Sequence, residues 1–163
     1  MDVDDMGALA DDPDVARFTY VPVPLPEDFG RQWVERYVSG WKEGTLAGFA
    51  VRPSRGEEFL GFAAVVRFDG DGREGELGFI VAPAARGRAV ASRALILLSR
   101  WALGPVGLER VELRIDAENA GSLRVAERAG FLREGVLRSV HLKQGIRIDQ
   151  AVYSLLASDV EPS

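Results

Sequence analysis

The chain has 163 residues and 47% of them are hydrophobic, so we expect one globular domain over residues 1–163 with a sizeable core. Twenty lysines and arginines against 25 aspartates and glutamates give a formal net charge of -5. This balance disfavours nucleic acid and membrane surfaces as general partners. The chain has no cysteine and a single histidine, His141, which excludes disulfides, a cysteine nucleophile and a zinc site of several imidazoles. No metal is expected.

The N-terminal residues 1–5 are acidic and lack the basic and apolar segments of a signal peptide. No apolar run approaches the length of a membrane span. We therefore expect a cytoplasmic protein.

The first third of the chain predicts helices joined by a proline-rich connector. Residues 2–17 indicate acidic helical turns interrupted at Pro13, and three prolines over 22–26 favour an extended segment because each fixes its φ angle. A helix is predicted over 27–42. Its aromatic side chains recur every fourth residue and predict one core-facing stripe: Phe29, Trp33, Tyr37 and Trp41.

The middle of the chain predicts an antiparallel meander followed by a long helix. Apolar, β-prone runs cover 45–52, 58–68 and 75–81, with turn residues between them. The helix is predicted over 87–103. Its apolar face would carry Val90, Ala94, Leu97 and Trp101, and another face Arg93 and Arg100.

The last third predicts a strand, a short helix and a hairpin. Strict alternation marks a strand over 110–116, a helix over 119–129 ends at Gly130, and strands follow over about 131–139 and 146–155. This element order is typical of an α/β layer arrangement with a mixed sheet.

Two segments carry candidate chemistry, and the first joins the third strand to the long helix. The helix start offers unpaired N–H groups and the positive end of the helix dipole, Arg86 and Arg88 add charge, and Gly87 allows close backbone approach. These features suit a diphosphate. An ordinary solvated basic turn explains them equally well when they are taken alone.

The second segment is the short helix that begins at Asn119. Asn119 is a good N-cap, Ser122 lies three residues later, and Gly130 is suited to end the helix in a left-handed conformation. Helix capping alone can account for all three residues.

Together, the two segments resemble the GNAT superfamily, in particular its Rim-type branch, which acetylates ribosomal-protein N-termini and related amines. The family's phosphate loop, Arg/Gln-x-x-Gly-x-Gly/Ala, is similar to Arg86, Gly87, Arg88, Ala89, Val90 and Ala91. Its downstream signature is similar to Asn119, Ser122, Gly130 and Phe131, followed by Glu134 and Gly135. The element order agrees from about residue 4 to residue 156, which is nearly the whole domain.

The resemblance implies a GNAT fold, an α/β architecture with a mixed, mostly antiparallel twisted sheet flanked by helices. It also implies acetyl-coenzyme A (acetyl-CoA) as co-substrate. A primary amine, on a protein N-terminus or a small molecule, would attack the thioester directly without a covalent enzyme intermediate.

The resemblance also implies roles for particular residues. Backbone amides near Ile80 and Val81 would stabilise the oxyanion, and Ser122 would donate a hydrogen bond to the leaving sulfur. Either Glu76 or His141 would act as general base, and we favour Glu76. The alternatives are that Glu76 is a paired strand carboxylate and His141 a structural surface residue.

The chain departs from the family pattern at three points. Ala89 replaces the central loop glycine, so we expect weaker or shifted phosphate contacts. The residues offer no candidate for the family's first strand. Ala126 stands where many relatives carry a tyrosine acid, which resembles the Rim-type branch, where the serine takes over.

The sequence leaves the acceptor and the oligomeric state open, with a homodimer among the options. Residues 17–44 and 136–147 are expected to wall the acceptor site, where Arg138 and Lys143 either orient an acidic acceptor or are solvated charges. A catalytically silent acyl-CoA-binding or regulatory module is the alternative function. A nucleotide-binding domain is disfavoured, because neither Gly-x-Gly-x-x-Gly nor a Walker loop is present.

Overall fold

The computed structural model describes residues 2–160. Its helices are α1 (Val3–Ala10), α2 (Pro13–Phe18), α3 (Phe29–Glu43), α4 (Val90–Leu103) and α5 (Ala120–Arg128). Its strands are β1 (Ala47–Val51), β2 (Gly61–Asp69), β3 (Glu74–Val81), β4 (Arg110–Asp116), β5 (Leu132–Lys143) and β6 (Ile146–Leu156). Within residues 2–160 no strand precedes α1, as predicted.

The six strands form one sheet in the order β1-β2-β3-β4-β6-β5. Neighbouring strands are antiparallel except β3 and β4, which confirms the predicted mixed, mostly antiparallel sheet. The parallel pairing runs only from Glu74 opposite Arg110 to Glu76 opposite Glu112. Beyond this point β3 continues to Val81 and β4 to Asp116 without pairing with each other. We call the opening between them the β3–β4 gap.

The two faces of the sheet are covered by different helices. One face packs on α4 and α5 in a core that includes the fully buried Leu95, Val111 and Tyr153. The other face, at β1 to β3, packs on α1 to α3 through a second cluster that includes Met6 and Phe62. Burying each such large apolar side chain contributes roughly 1.5–3 kcal/mol, which fixes the two layers around the gap.

The aromatic stripe of α3 faces the core at its first three positions, Phe29, Trp33 and Tyr37. Trp33 and Tyr37 contact Phe62 edge to face, as predicted for a core-facing stripe. Trp41 is instead 57% exposed and stacks on Trp101 with ring centroids 6.2 Å apart. A spacing of four residues turns about 40° around the helix per step, so the fourth aromatic leaves the core face.

The apolar face predicted for α4 is partly wrong. Val90 and Ala94 are buried, but Leu97 is 67% exposed on the same side as Arg93 and Arg100. The buried face is centred on the row Ala94, Leu98 and Ala102. The arginines one turn before and after Leu97 keep its side of the helix in water, so the predicted stripe lies at the margin of the buried face.

β5 is longer than predicted and forms an edge of the sheet. Its pairing with β6 shifts between Leu137 and His141, and Ser139 has a φ of 52°. This irregularity breaks the alternation of side chains, which is why the sequence pattern predicts an end at residue 139. The strand resumes beyond the bulge and places His141 opposite Ile148.

Candidate functional site

The turn that leads from β3 into α4 is open to solvent. After a short 3-10 turn at Pro83–Ala85, residues 86–89 are all exposed, and a Cβ added to Gly87 would meet no atom within 4 Å. The first carbonyl acceptor at the start of α4 is that of Ala89, which binds the amide of Arg93 at 3.2 Å. The preceding amides therefore lie at an accessible, positively polarised helix end, which fits an anionic ligand such as a diphosphate.

Two residues of this turn, Gly87 and Ala89, have positive φ angles. Gly87 has a φ of 75°, which glycine adopts freely. Ala89, the N-cap of α4, has a φ of 57° and no side-chain capping bond. A Cβ in this left-handed conformation costs roughly 1–2 kcal/mol, so Ala89 occupies a backbone position that favours glycine.

The two arginines of the turn are both engaged by carboxylates. Arg86 binds Asp12 at 2.7 Å and Asp14 at 3.1 Å, and Arg88 binds Glu58 at 3.3 Å. Burial opposes ionisation of Asp12, but the hydrogen bonds from Arg86 and from the Val15 amide outweigh it and lower the pKa of Asp12. Sequence reasoning missed these pairs, because residues so widely separated in the chain give no local sign that they are in contact.

The β3–β4 gap exposes one edge of β3. The amide of Ala82 donates to the Leu60 carbonyl at 2.9 Å, and the Ile80 carbonyl lies against Gly61, so both residues face β2. Backbone groups of successive strand residues point to opposite edges. The amide of Val81 therefore faces the gap, whereas that of Ile80 faces the neighbouring strand.

Glu76 lies where β3 and β4 separate. Its side chain is 13% exposed, and its carboxylate lies 3.7 Å from Arg67 and 4.0 Å from Arg114. Burial raises the pKa of Glu76, Arg114 and Arg67 oppose that rise, and the neighbouring Glu112 adds to it. Glu76 is thus a paired strand carboxylate and, at the same time, a carboxylate whose proton affinity is increased.

Glu112 organises the arginines around Glu76. This buried carboxylate accepts hydrogen bonds from Arg114 at 3.0 Å, from Arg110 at 3.2 Å and from Arg67 at 3.4 Å. A buried carboxylate is tolerated when several cations hold it in this way. Sequence reasoning did not single it out, although the alternation of charged and apolar residues over 110–116 indicated a polar face on this strand.

Asn119 and Ser122 form the predicted cap of α5. The Asn119 side chain accepts a hydrogen bond from the Ser122 amide at 3.1 Å, and Gly130 ends the helix region with a φ of 89°. The Ser122 side chain is half-buried in the first turn of the helix. Among the described residues, no hydrogen bond joins its hydroxyl to Glu76 or His141.

His141 lies in a cleft between the end of α2 and the β5–β6 hairpin, which we call the α2–β5 cleft. The cleft is lined by Arg17, Phe18, Thr19, Tyr20, Arg114, Asp116, His141, Lys143, Ile148 and Gln150. The ring of Tyr20 meets that of His141 edge to face at 4.7 Å, and the Tyr20 hydroxyl accepts from Gln150 at 3.0 Å. Lys143 donates to the Thr19 carbonyl.

The structure brings the two candidate bases to one region. Arg114 lines the α2–β5 cleft beside His141 and also reaches Glu76 at the start of the β3–β4 gap. The cleft lining includes residues 17–20, His141 and Lys143, which lie inside the two predicted segments, and also residues of β4 and β6, which lie outside them. Arg138 is exposed and does not line the cleft, whereas Lys143 does.

None of the helices within residues 2–160 combines the length and the apolar character of a membrane span. These residues also hold no group of three or more histidine, aspartate or glutamate side chains arranged to bind a metal ion.

Two known proteins resemble the chain over more than half of its length. N-acetyltransferase p20 of Bacillus licheniformis is 23% identical over 159 residues, covering 96% of this chain and 89% of that protein. YdaF of Bacillus subtilis, whose name places it among ribosomal N-acetyltransferases, is 31% identical over 101 residues, covering 62% of this chain and 55% of that protein. The name of YdaF agrees with the Rim-type resemblance.

A solved structure shares the fold at low sequence identity. Spermidine N-acetyltransferase of Vibrio cholerae, in complex with CoA and spermine, superposes with a TM-score of 0.84 at 18% identity. The match covers 97% of this chain and 91% of that chain. The model of the acetyltransferase (GNAT) domain family matches residues 1–132. Since this match spans most of the sequence, the chain belongs to the GNAT acetyltransferase family.

Proposed function

We propose that the protein transfers the acetyl group of acetyl-CoA to a primary amine of a protein N-terminus or a small molecule. The observation that carries the proposal is the β3–β4 gap, at whose end β3 leads into the open N-terminus of α4. An extended thioester fits such an arrangement, with its diphosphate at the helix and its acetyl group between the strands. CoA in the spermidine acetyltransferase structure supports the co-substrate.

The diphosphate would be held mainly by backbone groups. The amides of Gly87, Ala89, Val90 and Ala91 lie at the positive end of α4, and the residues that carry them are exposed or lie in the first turn. Arg86 and Arg88 would add charge once their carboxylate partners are displaced or shared. Asn119 would help by fixing the first turn of α5, which carries Ser122.

The chemistry requires a C–N bond to form and a C–S bond to break. In the first step the amine nitrogen attacks the thioester carbonyl, and the amide of Val81 donates to the developing oxyanion. Val81 is better placed than Ile80 for this role, because the Ile80 backbone faces β2. When the thiolate leaves, Ser122 donates a hydrogen bond or proton to its sulfur.

Glu76 is our choice for the group that takes the proton from the amine. Its raised pKa makes it a better proton acceptor than an ordinary carboxylate, and it lies where the gap opens. An α-amine, with a pKa of about 7.7–8.0, is partly neutral near pH 7, whereas a lysine amine near ~10.4 needs more help. A modest base therefore suits an α-amine acceptor better. His141 remains the alternative base, on the cleft side.

The proposal is tested by release of the CoA thiol in the presence of an amine panel, together with amide NMR spectra of the loop. We expect amine-dependent thiol release, and CoA should shift the amide resonances of Gly87 and its neighbours in α4. Unshifted loop resonances would refute the binding site. CoA binding without turnover of any α-amine, small amine or peptide would instead favour the silent binding module.

A further inference from the structure

The α2–β5 cleft carries more positive than negative charge. Its lining includes the side chains of Arg17, Arg114 and Lys143 but only one carboxylate, Asp116. The whole chain is acidic, with a net charge of -5, so this balance is opposite to that of the protein surface in general. A local excess of cations in a partly enclosed cleft attracts anionic groups and repels cationic ones.

The cations of the cleft are only partly neutralised by the described residues. Arg17 pairs with Glu118 at 3.6 Å, but both side chains are mostly exposed, so the pair is weak. Arg114 donates from Nε to Glu112, and the same nitrogen lies 4.0 Å from the Glu76 carboxylate. Within residues 2–160 its terminal nitrogens donate no hydrogen bond, which leaves them for a planar, bidentate contact with a carboxylate or phosphate.

Lys143 is the most confined cation of the cleft. Burial lowers the pKa of Lys143, against the effect of Asp116, and its ammonium donates to the Thr19 carbonyl. An ammonium has three donors, so this carbonyl leaves others to bind a ligand. An anion in the cleft would relieve part of the cost of burying this charge.

We propose that the α2–β5 cleft selects acceptor amines that carry a carboxylate or phosphate a few bonds from the amine and rejects polyamines. This inference rests on the proposed function, because it takes the cleft next to Glu76 as the acceptor site. Lys143 and Arg114 then determine specificity by binding the anion. The spermidine acetyltransferase that shares the fold acts, by its name, on a polycation, so the two proteins would differ in acceptor class.

The first test compares tripeptide amides that differ at the second residue, Ala-Asp-Ala, Ala-Asn-Ala and Ala-Lys-Ala, at fixed acetyl-CoA. Their shared N-terminal alanine keeps the reacting amine alike. We expect kcat/KM to fall by about tenfold or more from the aspartate to the lysine peptide, with spermidine slowest, because each tenfold step needs only about 1.4 kcal/mol. The ratio of kcat/KM for aminoethyl phosphate to that for ethanolamine measures the preference for a phosphate. Its comparison with the ratio for the aspartate and asparagine peptides shows which anion is preferred.

Matched variants assign the preference to the cleft. Lys143→Gln keeps a donor but removes the charge, and it should reduce the ratio of aspartate to asparagine peptide rates several-fold. Arg138→Gln removes an exposed charge from the same strand outside the cleft and should leave this ratio unchanged. Equal rates for the three peptides, or faster acetylation of spermidine, would overturn the inference while leaving the acetyltransferase activity standing.

A binding measurement covers the case in which turnover is slow. His141 is the single histidine of the chain and lines the cleft, so its imidazole signals report on cleft occupancy without assignment by mutagenesis. Acetyl-Ala-Asp-Ala amide, a product analogue, should shift these signals at lower concentration than acetyl-Ala-Lys-Ala amide. Equal responses would contradict the inference, and absence of turnover with every amine would in addition refute the proposed function.

Discussion

Arg86 donates from Nη2 to Asp12 Oδ1 at 2.7 Å, and this ion pair joins the turn before α4 to the N-terminus of α2. Asp14 holds the same guanidinium at 3.1 Å. The proposed diphosphate site therefore already contains two carboxylates that compete with the ligand for its arginine. Binding of CoA has to displace or share this contact, which lowers the affinity below what the loop alone would give.

Asp12→Asn should tighten CoA binding. The amide oxygen of asparagine can still cap α2, where Asp12 Oδ1 accepts from the Asp14 and Val15 amides at 3.1 Å, so the loss is mainly one of charge. Removal of one partly exposed competing ion pair is worth up to about 1 kcal/mol, or about fivefold in Kd. Isothermal titration calorimetry with CoA measures this change.

The control for this variant is Asp71→Asn, which removes the same charge from the exposed turn between β2 and β3. It should leave the Kd within experimental error. The gain in Asp12→Asn should shrink at high salt, because an exposed pair is screened. A weaker affinity in Asp12→Asn would mean that the Asp12–Arg86 pair orders the loop for binding rather than opposing it.

Ala89→Gly should relieve backbone strain at the N-cap of α4. The positive φ costs alanine roughly 1–2 kcal/mol, which glycine avoids. The greater freedom of glycine in the unfolded chain offsets roughly 0.4–1 kcal/mol of this stabilisation. We expect a small net stabilisation in urea unfolding, together with tighter CoA binding. Ala94→Gly, in the buried interior of the same helix, should destabilise by about 1 kcal/mol or more and serves as the matched control. Destabilisation in both variants would show that the backbone at Ala89 is not strained.

Local patterns predicted the elements and the open loop because they depend on neighbours in the chain. Gly130, for example, has the positive φ angle that its position after α5 predicted. The contacts of Glu76 could not be predicted, since Arg67 and Arg114 come from different strands and only the register brings them together. The same is true of Asp12 and Arg86, which meet only when α2 packs on the sheet.

The failure at Leu97 has a different physical origin. Periodicity identified a helix but not the centre of its buried face, which depends on how α4 packs on β2 to β4. The catalytic roles of Ser122, Glu76 and His141 remain predictions, because they depend on where a thioester and an amine lie. The structure places Glu76 at the start of the gap, His141 in the cleft and Ser122 in the first turn of α5.

Ser122→Ala should lower kcat without a matching change in the Kd of CoA. The leaving thiol has a pKa near ~8.5 and departs readily, so we expect a loss of about tenfold, below the 10²–10⁴ typical of an obligatory acid. The cap should survive, because Asn119 accepts from the backbone amide of residue 122 and not from its hydroxyl. Single-turnover kinetics measure the loss, and Ser54→Ala in an exposed loop is the control. An unchanged kcat would remove Ser122 from the mechanism.

Glu76→Gln should reduce kcat/KM for an α-amine by about 10²–10⁴, the usual contribution of a general base. In the wild type, burial raises the pKa of Glu76, so the acid limb of the pH–rate profile should lie above the ordinary glutamate value of 4.5. Activity is lost as the pH falls through that limb, because the protonated carboxyl cannot accept the amine proton. The variant should lack this limb once the ionisation of the amine is corrected for.

Two further variants decide which residue is the base. Glu74 lies two residues before Glu76 on β3 and also pairs with Arg67. Glu74→Gln therefore removes a similar charge without removing the proposed base. It should retain most of the activity. His141→Gln should change KM more than kcat if His141 only borders the acceptor. A larger loss of kcat in His141→Gln than in Glu76→Gln would assign the base to His141.

Glu134→Gln should change the dependence of stability on pH. Hydrogen bonds from Arg110 at 2.7 Å and from Ser154 outweigh burial and lower the pKa of Glu134 from 4.5 to about 2. A depressed carboxyl pKa gives stability that is fully present above 4.5 and is lost as the pH falls toward 2. The Glu134 side chain is 45% exposed, so screening reduces this contribution to about 1 kcal/mol.

Urea unfolding at several pH values measures this contribution as the difference in unfolding free energy between wild type and Glu134→Gln. The difference should be constant near neutral pH and shrink through the acid range, since protonated Glu134 and glutamine both lack the charge that binds Arg110. Glu35→Gln, on the exposed face of α3, should show no such dependence. A difference that stays constant down to the acid range would show that the Arg110–Glu134 contact stabilises the fold through its geometry and not through its charge.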